Sequence, residues 1–568
     1  MTRERSTALA VTAGILGLAA LARLVGIRYG LPYLFYHHDE PQIVLRALRF
    51  GTGDFNPHIF WWPGTFQMDL VFVLYVVMFM IERAAGLVAS SQAFAASYFR
   101  DPTAFYLSAR LVTVAFSLAT VWLMFALGKR TYCWTVGAVA AFFLSTNAML
   151  VEWSRLVLPL GPMLFWVVLA LLACLRILES DQRRWYILAG VASGFAASCL
   201  YYGGVVIVAV PIAHWLRMRG QRRHVPGVVF DPEPYLAVAA MICAFVIVCP
   251  YSVLDFRGFR NDIAATYFGY ARWESARASG IQNYLLDCVE ALAKSLRRAL
   301  GTPVAVMGLV GLALSLRRPS PRSVLVALFI IVYLAALGSS AGHRGRHMAT
   351  VVPLITVLAA SAVVKIARVL PGAKSKSAAT VILSVAIGLP SILEVARTDS
   401  EFMHKDTRVL AKEWFESAIP AGTKIIVDAS AYRNTASPPL EETDGNLERR
   451  IADLKGGTAH GYGYTAAYTK YYEMMLKYRD PSTKQYDQWW TESGTNVKPI
   501  EWFRRDGYQY AITSSFITER YYDESFTERL MKSSPFYGSL DSLAAVVKVF
   551  QPKPWTRPGP TIKVYKIQ

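Results

Sequence analysis

Six consecutive residues, Tyr36-His37-His38-Asp39-Glu40-Pro41, put two carboxylates beside two imidazoles. Such a set can hold a cation, take a proton from a hydroxyl, or form a solvated loop. Asn56-Pro57-His58 and Trp61-Trp62-Pro63 follow in the same stretch. Indole rings there can anchor the chain at a membrane surface or stack on a sugar ring. Cations stand at the ends of apolar runs, at Arg110, at Arg155 and in His343-Arg344-Gly345-Arg346-His347. A guanidinium binds phosphate oxygens two at a time, so a lipid phosphate is one partner that suits them. An internal pair with Glu152 or Asp39, or contact with a lipid headgroup, would also satisfy them.

The elements that must position these residues are membrane spans. The 568 residues are 54% apolar and only 17% charged, against about 25% charged in an ordinary soluble chain. A span needs about 20 apolar residues, or about 17 at the short end. Eleven stretches are read as spans, some of them short, near 7–27, 106–127, 134–151, 156–177, 186–200, 203–217, 235–251, 302–316, 323–338, 349–368 and 378–396. The first follows the short basic head Thr2-Arg3-Glu4-Arg5 and has no small-residue cleavage site, so it reads as a retained helix.

The net charge of +19 sits largely in short clusters between these runs, at Lys129-Arg130, Arg183-Arg184, Arg217 to Arg223, Arg317 to Arg322 and Lys365 to Lys376. That is the pattern of cytoplasmic loops, and it argues against nucleic acid as a partner. With the first residue inside, eleven spans bring every cluster to the same side. The outer regions are then 28–105, the turn at Glu152 to Arg155, 252–301 and 339–348. Residues 66–81 are apolar too, but a crossing there would invert every later loop. They are expected to form an interfacial or re-entrant helix, with a twelfth span as the alternative. Spans five and six are short and read as a hairpin about Tyr201-Tyr202-Gly203-Gly204.

From residue 397 the pattern changes. Asp406 or Thr407 can cap a helix that ends before Pro420. Strands are expected at 423–428, 508–513, 543–549 and 562–567, and helices at 466–478 and 517–532, which makes a small α/β domain over 397–568. Residues 433–462, rich in Pro, Glu, Gly and Asn, read as a long loop. The six cysteines all precede residue 289, with no CxxC and no Cys/His cluster, so this domain folds without disulfides.

In order and spacing these motifs resemble the membrane glycosyltransferases of the GT-C class, in the branch of the protein O-mannosyltransferases and aminoarabinose transferases. The likeness runs from His-His-Asp-Glu-Pro, through the Arg110-led span closing at Gly128-Lys129-Arg130 and the Gly190 to Pro211 hairpin. It continues with Cys249-Pro250-Tyr251, the arginine loop before Val351-Val352-Pro353, and Asp406-Thr407-Arg408 to Pro420-Ala421-Gly422. The resemblance implies a polytopic α-helical membrane domain over 1–396 with a soluble α/β domain after it. It implies transfer of a sugar, with inversion, from a polyprenyl-phosphate carrier to an acceptor outside the cytoplasm; lipid, glycan and protein acceptors all fit.

By the same likeness Asp39 would be the base and Glu40 would orient it or help hold a cation. Arg344, Arg346 and His347, with Arg155, Arg110 and His58, would meet the donor and its phosphate. Many relatives carry a second aspartate where span four begins. Here that region reads Glu152-Trp153-Ser154-Arg155-Leu156-Val157-Leu158-Pro159, so a divalent cation would have to draw on Glu152 and His38. The missing aspartate also leaves open a non-catalytic sugar- or lipid-binding scaffold. A transporter of lipid-linked sugars is the third reading; no inverted repeat supports it. The absence of long eukaryotic-style luminal insertions and the Arg/Ala-rich composition point to a bacterial inner membrane with the C-terminal domain in the periplasm.

Overall fold

A computed structural model describes residues 2–62, 64–220, 230–275, 281–338, 345–370, 375–429, 435–456, 465–480, 482–492, 496–522 and 536–567. The chain is a polytopic α-helical membrane protein with a C-terminal α/β domain, and it forms two compact units. One comprises Met1–Leu24, Ile43–Tyr75 and Ser108–Ala396; the other comprises Val25–Gln42, Val76–Leu107 and Arg397–Gln568.

The expectation of eleven regular spans needs correcting. Among the described residues five helices are long and apolar enough to cross a bilayer, and seven if each of two bent pairs counts as one span. Local chemistry breaks the others. The third apolar run divides into Trp134–Ser145 and Ala148–Ser154, bent by 61°. Asn147 starts the second piece by accepting a bond from the Leu150 N–H with its side chain (2.9 Å), as a cap residue does. Gly301, at φ 74°, separates Thr302–Arg317 from the helix before it by a 109° turn. Spans five and six become Arg183–Cys199, the 3-10 turn run Tyr201–Val208 and Ala209–Gly220. Pro232–Val248 and Pro321–Leu337 are apolar but shorter than a full span.

Residues 66–81 are helical, as both readings of them expect. They lie in one helix, Thr65–Ala84, whose length and hydropathy meet the requirement for crossing. That length and hydropathy suit either the interfacial helix or the twelfth span expected for this run.

In the first unit Val352–Val369 is buried on all sides, with thirteen successive residues from Val352 to Val364 inside. Small residues let its neighbours approach. A methyl group on Gly311 would run into the Leu358 carbonyl oxygen, and methyl groups on Gly190 and Gly194 would meet the carbonyls of Ala237 and Met241. Gly190 and Gly194 are thus the small-xxx-small face on which Arg183–Cys199 packs against Pro232–Val248. Gly194→Leu is expected to force these helices apart at a cost of about 1–3 kcal/mol. It should lower the melting temperature of the detergent-solubilised protein, whereas Gly538→Ala, where a methyl group meets nothing, should leave it nearly unchanged.

The second unit is built on a six-stranded sheet in the order β2-β3-β1-β4-β6-β5. The strands are β1 (Lys424–Val427), β2 (Glu441–Glu442), β3 (Gln485–Trp490), β4 (Tyr510–Ser514), β5 (Ala545–Phe550) and β6 (Ile562–Lys566). β1 runs parallel to β3 and β4, and β2 parallel to β3; β6 is antiparallel to both β4 and β5. Asp406 caps the helix Thr407–Ala418 as expected, with its carboxylate accepting from the Arg408 N–H.

Two expectations fail here. β3 was not foreseen, because Gln485-Tyr486-Asp487-Gln488-Trp489-Trp490 is polar as well as aromatic. Residues 433–462 are not one long loop, since Thr443 caps a helix at Asp444–Lys455. Of the helix expected at 517–532, Ser515–Tyr522 forms, and 523–532 lies outside the described residues.

Asp428, next after β1, is wholly buried. Burial pushes its carboxyl up to about 6, against the hydroxyls of Tyr537 and Thr491 and the Ser514 N–H that favour its charge. An unfolded aspartate titrates near 3.9, so the folded state holds this proton more tightly. Its contribution to stability is therefore fullest below about pH 4 and is lost as pH rises through about 6. Glu441 and Glu442 are raised by burial in the same sense. Asp428→Asn should remove Asp428's share of the fall in stability between about pH 4 and 6, measured as denaturant midpoints of both proteins across that range.

Candidate active site

The acidic pair opens the helix Glu40–Phe50. Pro41 fits the first turn, where its missing N–H is not needed, and Glu40 meets the positive end of the helix dipole. Glu40 is buried at 1% exposure, while the Asp39 side chain keeps 23%. Around Asp39 the backbone is held locally. Its N–H donates to His37 Nδ1 (3.1 Å), and its carbonyl accepts from the Gln42 N–H (3.0 Å). The His37 and His38 rings stack 4.7 Å apart, and His38 Nε2 lies 3.5 Å from Asp39 Oδ1. Asp39 thus has an accessible carboxylate on an ordered turn, with an imidazole in reach.

What holds this turn was not foreseen. Residues 25–42 belong to the same unit as the C-terminal domain, and Arg408 is the tie. Its guanidinium makes a two-pronged bond to Asp406, Nε to Oδ1 and Nη2 to Oδ2, both 2.8 Å. Its Nη1 donates to the carbonyls of Thr435 (2.6 Å) and Phe35 (3.2 Å). The Phe35 ring lies 4.0 Å below the guanidinium carbon. The Tyr29 hydroxyl donates to Asp406 Oδ2 (2.5 Å), and its ring stacks on Phe402 at 3.9 Å. Burial works against the Arg408 charge, but Asp406 and Tyr29 outweigh it, and the guanidinium holds its proton more strongly than usual. The sequence carried a faint signal in Asp406-Thr407-Arg408, where the acid and base sit two residues apart.

The remaining expected residues lie in the first unit. Arg110 and Arg155 are fully buried, and the Arg155 guanidinium donates to the Ala22 carbonyl. Glu152 is exposed on Ala148–Ser154. His58 pairs with Asp54 (Nε2 to Oδ2, 3.1 Å) inside its own loop. Asp255 and Asp262 brace that loop, accepting from Asn56 Nδ2 (3.0 Å) and the Phe60 N–H (2.7 Å). Arg346 and His347 sit half-buried in the 3-10 turn Gly345–Thr350, and the His347 ring meets Tyr202 edge-on at 5.3 Å. Arg344 lies outside the described residues. Among the described residues no three His, Cys, Asp or Glu side chains come together as a metal site would require.

Arg23 deserves a place beside the expected cations. It is fully buried and donates to Ser117 Oγ (2.8 Å) and to the carbonyls of Ala19 (3.1 Å) and Ser145 (3.0 Å). It lines a small pocket with Ser117, Thr120, Trp153 and Ser154. A lone arginine within an apolar run was its only sequence signal.

Residues 104–252 match the family model of dolichyl-phosphate-mannose-protein mannosyltransferases. The apo structure of ArnT from Cupriavidus metallidurans aligns over 100% of this chain and 98% of its own, at 13% identity and TM-score 0.51. This chain has a GT-C fold. ArnT from the same organism bound to undecaprenyl phosphate aligns over 99% and 98%, at 14% identity and TM-score 0.48. An oligosaccharyltransferase from Archaeoglobus fulgidus, in complex with zinc and sulfate, aligns over 90% of this chain and 69% of its own, at 10% identity and TM-score 0.45. No curated protein matches by sequence. Within the GT-C fold, the segment matched to the family model contains Arg110, Glu152 and Arg155 and stops short of the basic run; Asp39 and Glu40 precede it.

Proposed function

We propose that this protein is an inverting glycosyltransferase that moves a sugar from a polyprenyl-phosphate carrier to a hydroxyl outside the cytoplasm. The observation that carries this reading is the accessible Asp39 carboxylate, on a braced turn, in a chain whose whole length follows a GT-C fold. The match to dolichyl-phosphate-mannose-dependent enzymes supports a lipid-phosphate donor.

In this reading Asp39 takes the proton of the acceptor hydroxyl as its oxygen attacks the anomeric carbon. The bond from that carbon to the phosphate oxygen breaks, and the polyprenyl phosphate leaves with the electron pair. Attack opposite the leaving group inverts the centre. Glu40 orients Asp39 from its buried position. Negative charge grows on the departing phosphate, so cations placed there lower the barrier more than they tighten binding. Arg344, Arg346 and His347 fill that role; the buried Arg155, bonded to the Ala22 carbonyl, holds neighbouring backbone as well as supplying positive potential, and the buried Arg110 adds to that potential. His58 belongs to the donor side through its loop. A divalent cation, where one takes part, would draw on His38 and Glu152 and would add charge at the leaving phosphate.

Residues 1–396 are then the membrane domain and 397–568 an extracytoplasmic domain, in a bacterial inner membrane with this domain in the periplasm. The test is sugar transfer by the purified protein in vesicles carrying polyprenyl-phosphate sugars and a mixture of lipid, glycan and peptide acceptors. Sugar appearing on one acceptor class supports the transferase. Donor binding without transfer to any class would favour the scaffold, and movement of donor between leaflets would favour the transporter.

A further inference from the structure

The loop between β5 and β6 makes a short hairpin that no part of the transfer reaction uses. Lys553 and Arg557 pair their backbones, with N–H to carbonyl distances of 3.0 and 2.9 Å. Trp555 stands at the tip at φ 69°, a left-handed conformation that costs a large side chain free energy. The residue is nevertheless 45% exposed. A backbone strained in order to show an indole to the outside needs something to receive it.

The hairpin is pinned at both ends. The Trp555 N–H donates to Glu401 Oε1 (3.1 Å), and its carbonyl accepts from Ser400 Oγ (2.7 Å). On the other flank Thr407 bonds the carbonyls of Pro558 and Pro560. Gly559, at φ 105°, leaves room for the Asp406 carboxylate beside it. Ser400 and Glu401 belong to the helix Lys376–Phe402, whose apolar run ends near residue 396. They therefore lie about 6–8 Å further along it, at 1.5 Å per residue. The headgroup layer occupies about 5–8 Å on each side of the hydrocarbon. A tryptophan at that level is at the depth where indoles concentrate.

The charges fit the same surface. Lys553 is exposed and Arg557 half-buried, and the Arg397 and Lys405 side chains are 50% and 64% exposed. Glu401 and Glu413 oppose them, paired with Arg397 and Lys405 respectively, so Lys553 and Arg557 give the hairpin its positive excess. Met403, two residues after Glu401, is 69% exposed, and β5, the edge strand among the described residues that leads into the hairpin, shows Val546, Val547 and Val549 at 39–51%.

We propose that the Lys553–Arg557 hairpin docks on the bilayer, with the Trp555 indole seated among the headgroups and Lys553 and Arg557 meeting the phosphates of anionic lipids. The proposal requires the helix Lys376–Phe402 to cross the membrane and is independent of the transfer reaction. The full chain would be placed in nanodiscs of phosphatidylcholine, with or without phosphatidylglycerol, containing lipids brominated high on the acyl chain. The emission lost between wild type and Trp555→Phe isolates the Trp555 signal. Quenching of that signal by bromine, stronger with phosphatidylglycerol, is the expected result. A Trp555 signal that bromine leaves untouched would overturn the proposal. Lys553→Glu/Arg557→Glu should abolish the dependence on phosphatidylglycerol in the otherwise native sequence; full retention of it would overturn the electrostatic part.

Discussion

Asp39→Asn is expected to lower the rate of sugar transfer about 100- to 10,000-fold, the usual contribution of a positioned general base. The substitution keeps the shape of the side chain and removes only its ability to take a proton. It should not disturb the turn. The local bonds there come from the Asp39 backbone, the side chain is partly exposed, and asparagine serves as well as aspartate before a helix. Donor-lipid affinity should therefore stay near the wild-type value while the chemical step collapses. Initial rates in vesicles, measured at saturating donor beside a donor-binding assay, separate the two. Transfer at the wild-type rate in Asp39→Asn would take this carboxylate out of the mechanism and leave Glu40 or Glu152 to be tested. His38→Ala should have a smaller effect, since His38 only approaches Asp39 at 3.5 Å.

The second large effect is expected from Arg408. The Arg408 and Asp406 side chains are 3% and 1% exposed, and one partner cannot be removed without leaving the other as an unpaired buried charge. Breaking a buried pair in this way costs about 3–5 kcal/mol. Arg408→Ala also frees the carbonyls of Phe35 and Thr435 and the face of Phe35. The C-terminal domain should melt earlier, and the segment before Asp39 should become open to protease. Limited proteolysis with N-terminal sequencing reads both. The double substitution Arg408→Met/Asp406→Leu removes both charges together and should recover part of the stability, because no unpaired charge is left. If Arg408→Ala matched wild type in melting and in cleavage, the pair would be a minor contributor.

Much of the fold could be read from the chain, because its main signals are local. Apolar runs longer than a soluble helix requires, basic clusters between them, and a change to alternating patterns after residue 397 do not depend on distant contacts. Asp406 as a helix cap is equally local. The errors fall where a distant partner decides. β3 is half polar, and becomes a strand because Asn446 and Leu440 bond Gln488 while β1 pairs with its backbone. Thr443 to Lys455 looks like a loop by composition until its cap and packing are in place. The span broken at Asn147 is continuous as composition; the break is a matter of backbone angles.

The candidate site divides in the same way. The sequence by itself determined which groups are available for chemistry, namely the Asp39-Glu40 pair beside two histidines, the basic run from His343 to His347, and the scarcity of other charges in the apolar runs. It could do so because charge in an apolar setting is costly and stands out. The tertiary structure alone decided that Arg110, Arg155 and Arg23 are enclosed, that Glu152 is open, and that Arg408 braces the turn before Asp39. Burial and pairing come from residues tens to hundreds of positions apart, as with Arg408 and Phe35 or Arg23 and Ser117. No pattern along the chain records which distant backbone a guanidinium will meet.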